Sequence, residues 1–192
     1  MKQDIILAGV GGQGILSIAF VIDNAALKRG LAMKQAEVHG MAQRGGGVQS
    51  HLRLSDRTIY SDLIPRGEAD LVLSVEPLEA LRYVDYLAPE GRIITSSTPF
   101  VNIPDYPPLE QVLAAVRGFK GSVIVDSGAL AAEAGSPRSQ NMVMLGAASP
   151  FLVLGEAQLR EVITQLFSPK GNALVAANLK AFELGRQASA AA

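Results

Sequence analysis

Residues 4–17 are DIILAGVGGQGILS, an apolar run that passes directly into a glycine cluster. The run at residues 4–8 suits a buried parallel strand, because such strands are apolar on both faces. From Gly14 the apolar residues continue to Leu27 and end at Lys28-Arg29-Gly30, where cations and a glycine suit a helix C-terminus. The stretch therefore predicts a strand, a glycine turn and a helix.

The rest of the chain alternates apolar runs of strand length with segments of helical spacing. This alternation predicts a three-layer α/β/α, Rossmann-like fold with a largely parallel sheet, and leaves a mixed sheet open. We expect one domain over residues 1–187 and a frayed tail over residues 188–192. The further predicted strands are residues 31–38, 48–54, 70–75, 91–95 and 122–126, and the further predicted helices are residues 78–87, 109–116, 141–148, 156–167 and 172–187.

The composition excludes several classes of function. The chain has 192 residues and a formal net charge of -1, and its basic residues form no run, so we expect no nucleic-acid partner. No apolar stretch is long enough to span a membrane, and no secretory signal is visible, so we expect a cytoplasmic protein without a membrane partner. The absence of cysteine excludes thiolate ligands for an iron–sulfur cluster on this chain.

The first glycine cluster has the spacing of a dinucleotide-binding fingerprint at Gly9, Gly11 and Gly14. Glycines let a backbone approach a phosphate, and amides at a helix N-terminus favour an anion. We therefore predict that this cluster binds a cofactor. The alternative is that the glycines only allow a tight turn and close packing. These predicted cofactor-binding residues are Gly9, Gly11, Gly12, Gln13 and Gly14.

Glu37 lies near the end of the second predicted strand, where a nicotinamide enzyme places its ribose-binding acid. This position keeps a stand-alone NAD(P)-dependent dehydrogenase as a competing hypothesis. A nucleoside-triphosphatase loop is disfavoured, because Ile15 stands where that motif needs lysine.

A second polar cluster at residues 37–51 contains both histidines and a glycine run. The planar fork of Arg44 suits a carboxylate or phosphate, and His39 and His51 could serve as proton carriers near neutral pH. Of these residues, His39 and Arg44 are the candidate catalytic residues. The alternative is a solvated loop with His51 pointing inward from a strand. No acidic cluster accompanies the histidines, so we predict no metal site. The predicted partner- or substrate-facing loop consists of His39, Gly40, Gln43, Arg44, Gly45 and Gly46.

Both clusters follow strands of one predicted sheet, and open α/β sheets bind ligands where such strands end. We expect the two loops to lie side by side around one crevice. Two carboxylates at strand ends, Glu76 and Asp126, could also face this crevice. Capping or pairing roles are sufficient for both, so we assign neither as a catalytic base.

The sequence resembles the gamma-type subunits of the 2-oxoacid:ferredoxin oxidoreductases, and within them the indolepyruvate branch. The resemblance extends over nearly the whole chain. Gly47 is a departure, since the indolepyruvate branch often has an acidic residue there. The matching segments are GVGGQG at 9–14, EVHGMAQRGG at 37–46, VQSHLRLS at 48–55, SVEPLEALRY at 74–83, TPFVNIP at 98–104, NMVMLGA at 141–147 and AANLKA at 176–181.

This resemblance implies oxidative decarboxylation of an arylpyruvate to an aryl-acetyl-coenzyme A, with electrons passing to ferredoxin. Thiamine diphosphate and [4Fe-4S] clusters would belong to a large partner subunit, coenzyme A would be the co-substrate, and this chain would carry no cofactor and be inactive alone. Residues 11–14 and 44–46 would face the partner's active site. A gamma subunit for pyruvate, 2-oxoisovalerate or 2-oxoglutarate, a purely structural subunit, and a homodimer of the isolated chain remain open alternatives.

Overall fold

The computed structural model describes residues 1–39 and 45–190, and these form a six-stranded sheet flanked by helices. The strand order is β2-β3-β1-β4-β5-β6. The strands are β1 (Lys2–Val10), β2 (Ala32–His39), β3 (Gly47–Ser55), β4 (Ala69–Ser74), β5 (Leu87–Ser96) and β6 (Val123–Val125). The helices are α1 (Ile15–Lys28), α2 (Pro77–Leu81), α3 (Leu109–Arg117), α4 (Ser127–Glu133), α5 (Gln140–Ala148), α6 (Glu156–Phe167) and α7 (Asn172–Ala190), with 3₁₀ turns at Val84–Tyr86, Ser149–Phe151 and Ser168–Lys170.

The sheet is mixed. Strands β1, β4, β5 and β6 are parallel neighbours, whereas β3 runs antiparallel to both β1 and β2. Strand β3 thus separates β2 from β1, although α1 connects β1 to β2 in the chain. The carboxyl ends of five strands lie at one edge of the sheet, and β3 begins there. These five strands are β1, β2, β4, β5 and β6.

Helices cover both faces of the sheet, which confirms the three-layer prediction. Along β1 the side chains alternate between the layers, as strand geometry requires. Ile5 and Leu7 join the large apolar cluster under α1, α5, α6 and α7, and Ile6 joins the smaller cluster under α2 and α3.

The first helix ends as the sequence predicts. Gly30 has a φ of 76°, in the left-handed region that favours glycine. The amide of Leu31 donates to the carbonyl of Ala26 at 3.0 Å, so the turn satisfies a carbonyl of the last helical turn.

The predicted helix at residues 78–87 is wrong in extent. Helix α2 ends at Leu81, a 3₁₀ turn spans Val84–Tyr86, and Leu87 already belongs to β5. The apolar spacing continues past Leu81 because Tyr83 and Tyr86 pack on the smaller cluster from the turn. Periodicity alone does not separate these two conformations.

Other element boundaries also differ from the predictions. Strand β5 starts four residues early, β6 keeps only three residues, and α4 had no sequence prediction. Helix α7 continues to Ala190, with Ser189 only 6% exposed, so residues 188–190 of the predicted tail are helical. Residues 191–192 lie outside the described part of the chain. In that described part, no helix is both long and apolar enough to cross a membrane.

Candidate functional site

The first glycine cluster forms the turn between β1 and α1, and a Cβ at two of its glycines would crowd a neighbouring side chain. Gly14 caps α1 with a φ of 79°, and a Cβ on it would lie 2.4 Å from Nδ2 of Asn141. A Cβ on Gly9 would lie 2.5 Å from Cδ1 of Ile15. Gly12 also has a positive φ, of 106°, but a Cβ there would meet open space. The structural alternative thus accounts for Gly9 and Gly14, and Gly12 is the glycine most open to a ligand.

Gln13 closes the turn from within. The side-chain Oε1 of Gln13 accepts a hydrogen bond from the backbone amide of Val10 at 2.7 Å. The backbone amide of Gln13 donates to the carbonyl of Val10 at 3.0 Å. These bonds stabilise the conformation of the loop, so the side-chain oxygen of Gln13 has a structural role in binding the backbone.

The two glycine loops lie side by side, as the sequence predicts. The amide of Gly11 donates to the carbonyl of Gly46 at 2.8 Å, and the amide of Gly45 donates to the carbonyl of Gly11 at 3.2 Å. Of the other loop residues predicted, His39 ends β2, and Gly40, Gln43 and Arg44 lie outside the described residues. The predicted catalytic roles of His39 and Arg44 stay predictions.

A crevice of about 360 Å³ opens beside the first glycine turn, at the carboxyl ends of β1, β4 and β5. The connections after β1 and β4 lead to opposite faces of the sheet, with α1 on one face and α2 on the other. Open α/β sheets bind ligands between two such strands. Arg138 lies on its wall, is exposed, and forms no ion pair among the described residues. The lining residues are Gly12, Gln13, Gly14, Val75, Thr98, Pro99, Phe100, Pro137, Arg138, Gln140 and Asn141.

Sequence reasoning assigned no site role to Arg138 or Phe100. Arg138 is a single cation in the connection before α5, and Phe100 lies in a proline-punctuated loop, so neither has a local signal. Only the fold brings these residues to the glycine turn. Phe100 does lie in the segment TPFVNIP at 98–104, whose family resemblance is a sequence signal for it.

A second hollow, of about 420 Å³, lies on the other side of the same turn. Its wall is mainly apolar and includes Val10, Ile15, Leu16 and Val48. Leu16 is 50% exposed. The glycine turn therefore borders two hollows, and the wall of the second is the more apolar.

Glu76 and Asp126 have the capping roles that the sequence made sufficient. Oε2 of Glu76 accepts from the amide of Glu79 at 2.8 Å at the start of α2. Oδ1 of Asp126 accepts from the amide of Ala129 at 2.9 Å at the start of α4. Glu76 is 1% exposed and also binds the loop that lines the crevice.

His51 points inward, which agrees with the structural alternative for that residue. It is 3% exposed, and its Nδ1 accepts from the amide of Ile64 at 3.1 Å. Burial, with a smaller effect of the Arg53 charge, lowers the pKa of His51. The imidazole is therefore a neutral structural acceptor at physiological pH and not a proton carrier in the crevice.

Glu37 is poorly placed for a dinucleotide ribose. It pairs in register with Ser50 of β3, which pairs with Leu7 of β1. Two strand spacings, roughly 10 Å, therefore separate Glu37 from β1, and Leu7 precedes Gly11 by roughly 13 Å of strand. Dinucleotide folds place the second strand directly beside the first. This topology disfavours the stand-alone dehydrogenase.

The described residues contain no group of three His, Asp or Glu side chains that could hold a metal ion. The chain also offers no thiolate ligands to an iron–sulfur cluster, because it has no cysteine. The donor set of the crevice, with glycine amides, amide side chains and Arg138, fits an anionic group instead.

Comparison with known proteins assigns nearly the whole chain to one family. The model of the family described as pyruvate ferredoxin/flavodoxin oxidoreductase matches residues 4–188. This chain belongs to that family. The resemblance found in the sequence is therefore confirmed.

Two curated members of the family match at nearly full length. The chain is 40% identical over 200 residues to the indolepyruvate oxidoreductase subunit IorB of Pyrococcus horikoshii, covering 98% of this chain and 97% of the relative. It is 38% identical over 199 residues to the subunit of the same name from Methanothermobacter thermautotrophicus, covering 99% of each chain.

Solved structures of the family share the fold. A 2-oxoglutarate:ferredoxin oxidoreductase from Magnetococcus marinus, with 2-oxoglutarate, coenzyme A and succinyl-CoA bound, matches with a TM-score of 0.78 and 25% identity. The match covers 100% of this chain but 31% of that longer chain. A keto/oxoacid ferredoxin oxidoreductase gamma subunit from Geobacter sulfurreducens matches with a TM-score of 0.71 and 23% identity, covering 99% of each chain.

Proposed function

We propose that this chain is the small subunit of an indolepyruvate:ferredoxin oxidoreductase. The assembled enzyme oxidatively decarboxylates arylpyruvates to aryl-acetyl-coenzyme A. The observation that carries the proposal is the nearly full-length similarity to IorB subunits from four organisms, at 34–40% identity. Family members with other 2-oxoacid names match more weakly, with 26% identity over 190 residues for a 2-oxoglutarate synthase subunit.

The proposed division of labour places the cofactors on a large partner subunit. Thiamine diphosphate there supplies carbanion chemistry at the 2-oxo carbon, and [4Fe-4S] clusters pass the electrons to ferredoxin. The present chain lacks cysteine, which supports this division. The proposed location is the cytoplasm, and the chain alone is inactive.

The proposed task of this chain is to hold an anionic part of a substrate at the crevice. Arg138 offers a cation, and the turn at Gly12 exposes backbone beside the N-terminus of α1. The anion is the carboxylate of the 2-oxoacid or a phosphate of coenzyme A. Phe100, 42% exposed on the same wall, offers an apolar surface to the rest of the ligand.

Anoxic affinity purification of this chain from its native cells tests the proposal. The eluate is assayed for reduction of a low-potential dye with coenzyme A and, in turn, indolepyruvate, phenylpyruvate, pyruvate and 2-oxoglutarate. We expect a larger, cysteine-rich, thiamine-containing partner and the fastest turnover with arylpyruvates. Fastest turnover with another 2-oxoacid would reassign the substrate, and a chain recovered alone that binds a nicotinamide dinucleotide would contradict the proposal.

Arg44 belongs to the loop proposed to face the partner or substrate. We expect Arg44→Ala to lower arylpyruvate turnover in the purified complex, because its guanidinium would hold a carboxylate or phosphate. Arg57→Ala is the control, since Arg57 is exposed at the opposite edge of the sheet. Unchanged kinetics in an intact Arg44→Ala complex would contradict the role and favour a structural subunit.

A further inference from the structure

The connection from β5 to α3, residues 97–108, is here called the strap. Its first part, Thr98 to Phe100, lines the crevice. Further along, Nδ2 of Asn102 donates to the carbonyl of Gly45 at 2.6 Å, which ties the strap to the second glycine loop. The strap therefore joins one wall of the crevice to the paired glycine loops.

The strap is anchored to a single buried carboxylate. Oε1 of Glu76 accepts from the amide of Phe100 at 3.3 Å and from the hydroxyl of Tyr106. Its Oε2 accepts from the amide of Glu79. One side chain thus fixes the strap at two points, six residues apart, and fixes the start of α2 as well.

We propose that Glu76 is a positioning residue that holds the strap so that Phe100 forms the wall of the crevice. This inference rests on the proposed function only in taking the crevice as a substrate site. Glu76 acts through Phe100 and does not itself line the crevice.

The chemistry of the three contacts requires a carboxylate. The Glu79 amide, the Phe100 amide and the Tyr106 hydroxyl all donate, and an ionised carboxylate accepts at both oxygens. Glutamine has nearly the same shape but presents an NH₂ group on one side, which would oppose a donor. Hydrogen bonds to a charged acceptor are also stronger than those between neutral groups.

The ionisation of Tyr106 agrees with this arrangement. Burial, followed by the hydrogen bond to Glu76, raises the pKa of the Tyr106 hydroxyl well above its usual value. The phenol stays protonated and remains a donor throughout the physiological range. The chain has four tyrosines and no tryptophan, so the ultraviolet titration of the phenols can be followed directly.

Two substitutions test the anchor, Glu76→Gln and Tyr106→Phe. The second removes only one hydroxyl and keeps the α2 cap, so it stays informative where Glu76→Gln fails to fold. Tyr60→Phe is the matched control, because Tyr60 is 91% exposed and borders a different hollow at the opposite edge of the sheet.

The first readout uses the full chain without any partner. We expect backbone amides of the strap to exchange hydrogen about tenfold faster in both variants than in the unmodified chain or in Tyr60→Phe. Burial also raises the pKa of Tyr83, so the titration is assigned by difference. Tyr106→Phe should remove one late-titrating phenol, and Glu76→Gln should shift that same phenol to lower pH. Unchanged strap exchange in both variants would overturn the anchoring role, whether or not the chain belongs to an oxidoreductase.

The second readout uses the purified complex. A positioning role predicts that KM for coenzyme A or for the 2-oxoacid rises about tenfold in Tyr106→Phe while kcat changes less than about twofold, because binding and not chemistry is disturbed. Faster strap exchange with both KM values unchanged would overturn the role in positioning. An inactive unmodified complex would instead contradict the proposed function and leave the exchange result standing.

Discussion

Asp23 on α1 has a buried carboxyl group, and one of its oxygens accepts no hydrogen bond from the described residues. It is 7% exposed, and its Oδ1 has no hydrogen-bond partner among the described residues. Burial, with a smaller effect of the charge on Glu37, raises the pKa of Asp23 to about 7. The folded chain therefore keeps this proton from about pH 4 to about pH 7, where the unfolded chain has lost it.

This difference makes Asp23 costly at high pH. A carboxyl whose folded pKa is raised lowers the free energy of unfolding progressively as pH rises between the unfolded and folded values. We expect Asp23→Asn to stabilise the chain at pH 8 by about 2 kcal/mol, roughly half of what the full pKa difference would give. Urea unfolding at pH 4 to 8 measures the effect, which should vanish near pH 4. Glu133→Gln, at an exposed carboxyl, should show no such trend.

Arg138 gives a prediction about binding. If the crevice holds an anion, Arg138→Ala should raise KM for one substrate by about tenfold to a hundredfold, the loss expected for one charge-assisted contact. Steady-state kinetics of the complex with each substrate varied in turn identify the anion. A rise for coenzyme A alone indicates a phosphate, and a rise for the 2-oxoacid alone indicates its carboxylate. Equal KM values for Arg138→Ala and Arg57→Ala would contradict the site.

At single residues the sequence predicted position better than role. It placed both glycine loops together correctly, because strand ends of one sheet share an edge. It did not separate Gly12, which faces open space, from Gly9 and Gly14, which face side chains. That distinction depends on contacts with Ile15 and with Asn141, a residue 127 positions away in the chain.

Helices α5 and α7 approach each other at two glycines. A Cβ on Gly146 would lie 1.9 Å from the carbonyl oxygen of Phe182, and a Cβ on Gly185 would lie 1.9 Å from that of Val143. The obstacles are backbone atoms, so no side-chain rotation relieves the clash. The pair of helices can pack at this distance only with glycine at both positions.

We therefore expect Gly146→Ala to destabilise the chain by about 3 kcal/mol or more, the cost of overpacking a core. Alanine in an isolated helix would instead be favourable by about 1 kcal/mol, so the sign reports the contact. Urea unfolding of Gly146→Ala and Gly155→Ala provides the comparison. A Cβ on Gly155 meets only the flexible Gln158 side chain, at 3.3 Å, so its effect should stay within about 1 kcal/mol. Equal effects would contradict the packing argument.

Most elements could be predicted because their patterns are strong. Helix α6 has the predicted bounds, and five of the six strands overlap predicted strands by most of their length. The failure at residues 78–87 arises where a short helix and a 3₁₀ turn bury the same face. Helix α4 was missed because its seven residues are mostly small, and its clearest sign is the Asp126 cap.

The two layers that cover the sheet are unequal. Every residue of α5 from 141 to 148 is buried, and six of their side chains belong to the apolar cluster beneath α1, α5, α6 and α7. Helices α2 and α3 cover a much smaller cluster. We expect native-state hydrogen exchange to be slowest in α5 and in the central strands β1 and β4, and faster in α2, α3 and the edge strand β2. Protection of α3 equal to that of α5 would show that the molecule opens only as a unit.

The sheet order was the part of the fold that the sequence could not predict. Length and apolar pattern identified β2 and β3 as strands but did not indicate that β3 lies between β2 and β1. That order depends on which strand edges find each other after collapse. It also decides against Glu37 as a ribose ligand, so the topology carried a functional conclusion.

The central position of β1 has a consequence for biosynthesis. This strand is made before both of its neighbours, and its second neighbour, β4, ends 64 residues after it, at Ser74. At ribosomal rates of about 5–20 residues per second, β1 waits roughly 3 to 13 seconds for that neighbour. During this time the nascent chain carries an apolar strand with an unpaired edge, which is a site for aggregation. The strand at the centre of the finished sheet is thus exposed to aggregation during synthesis until β4 has been made.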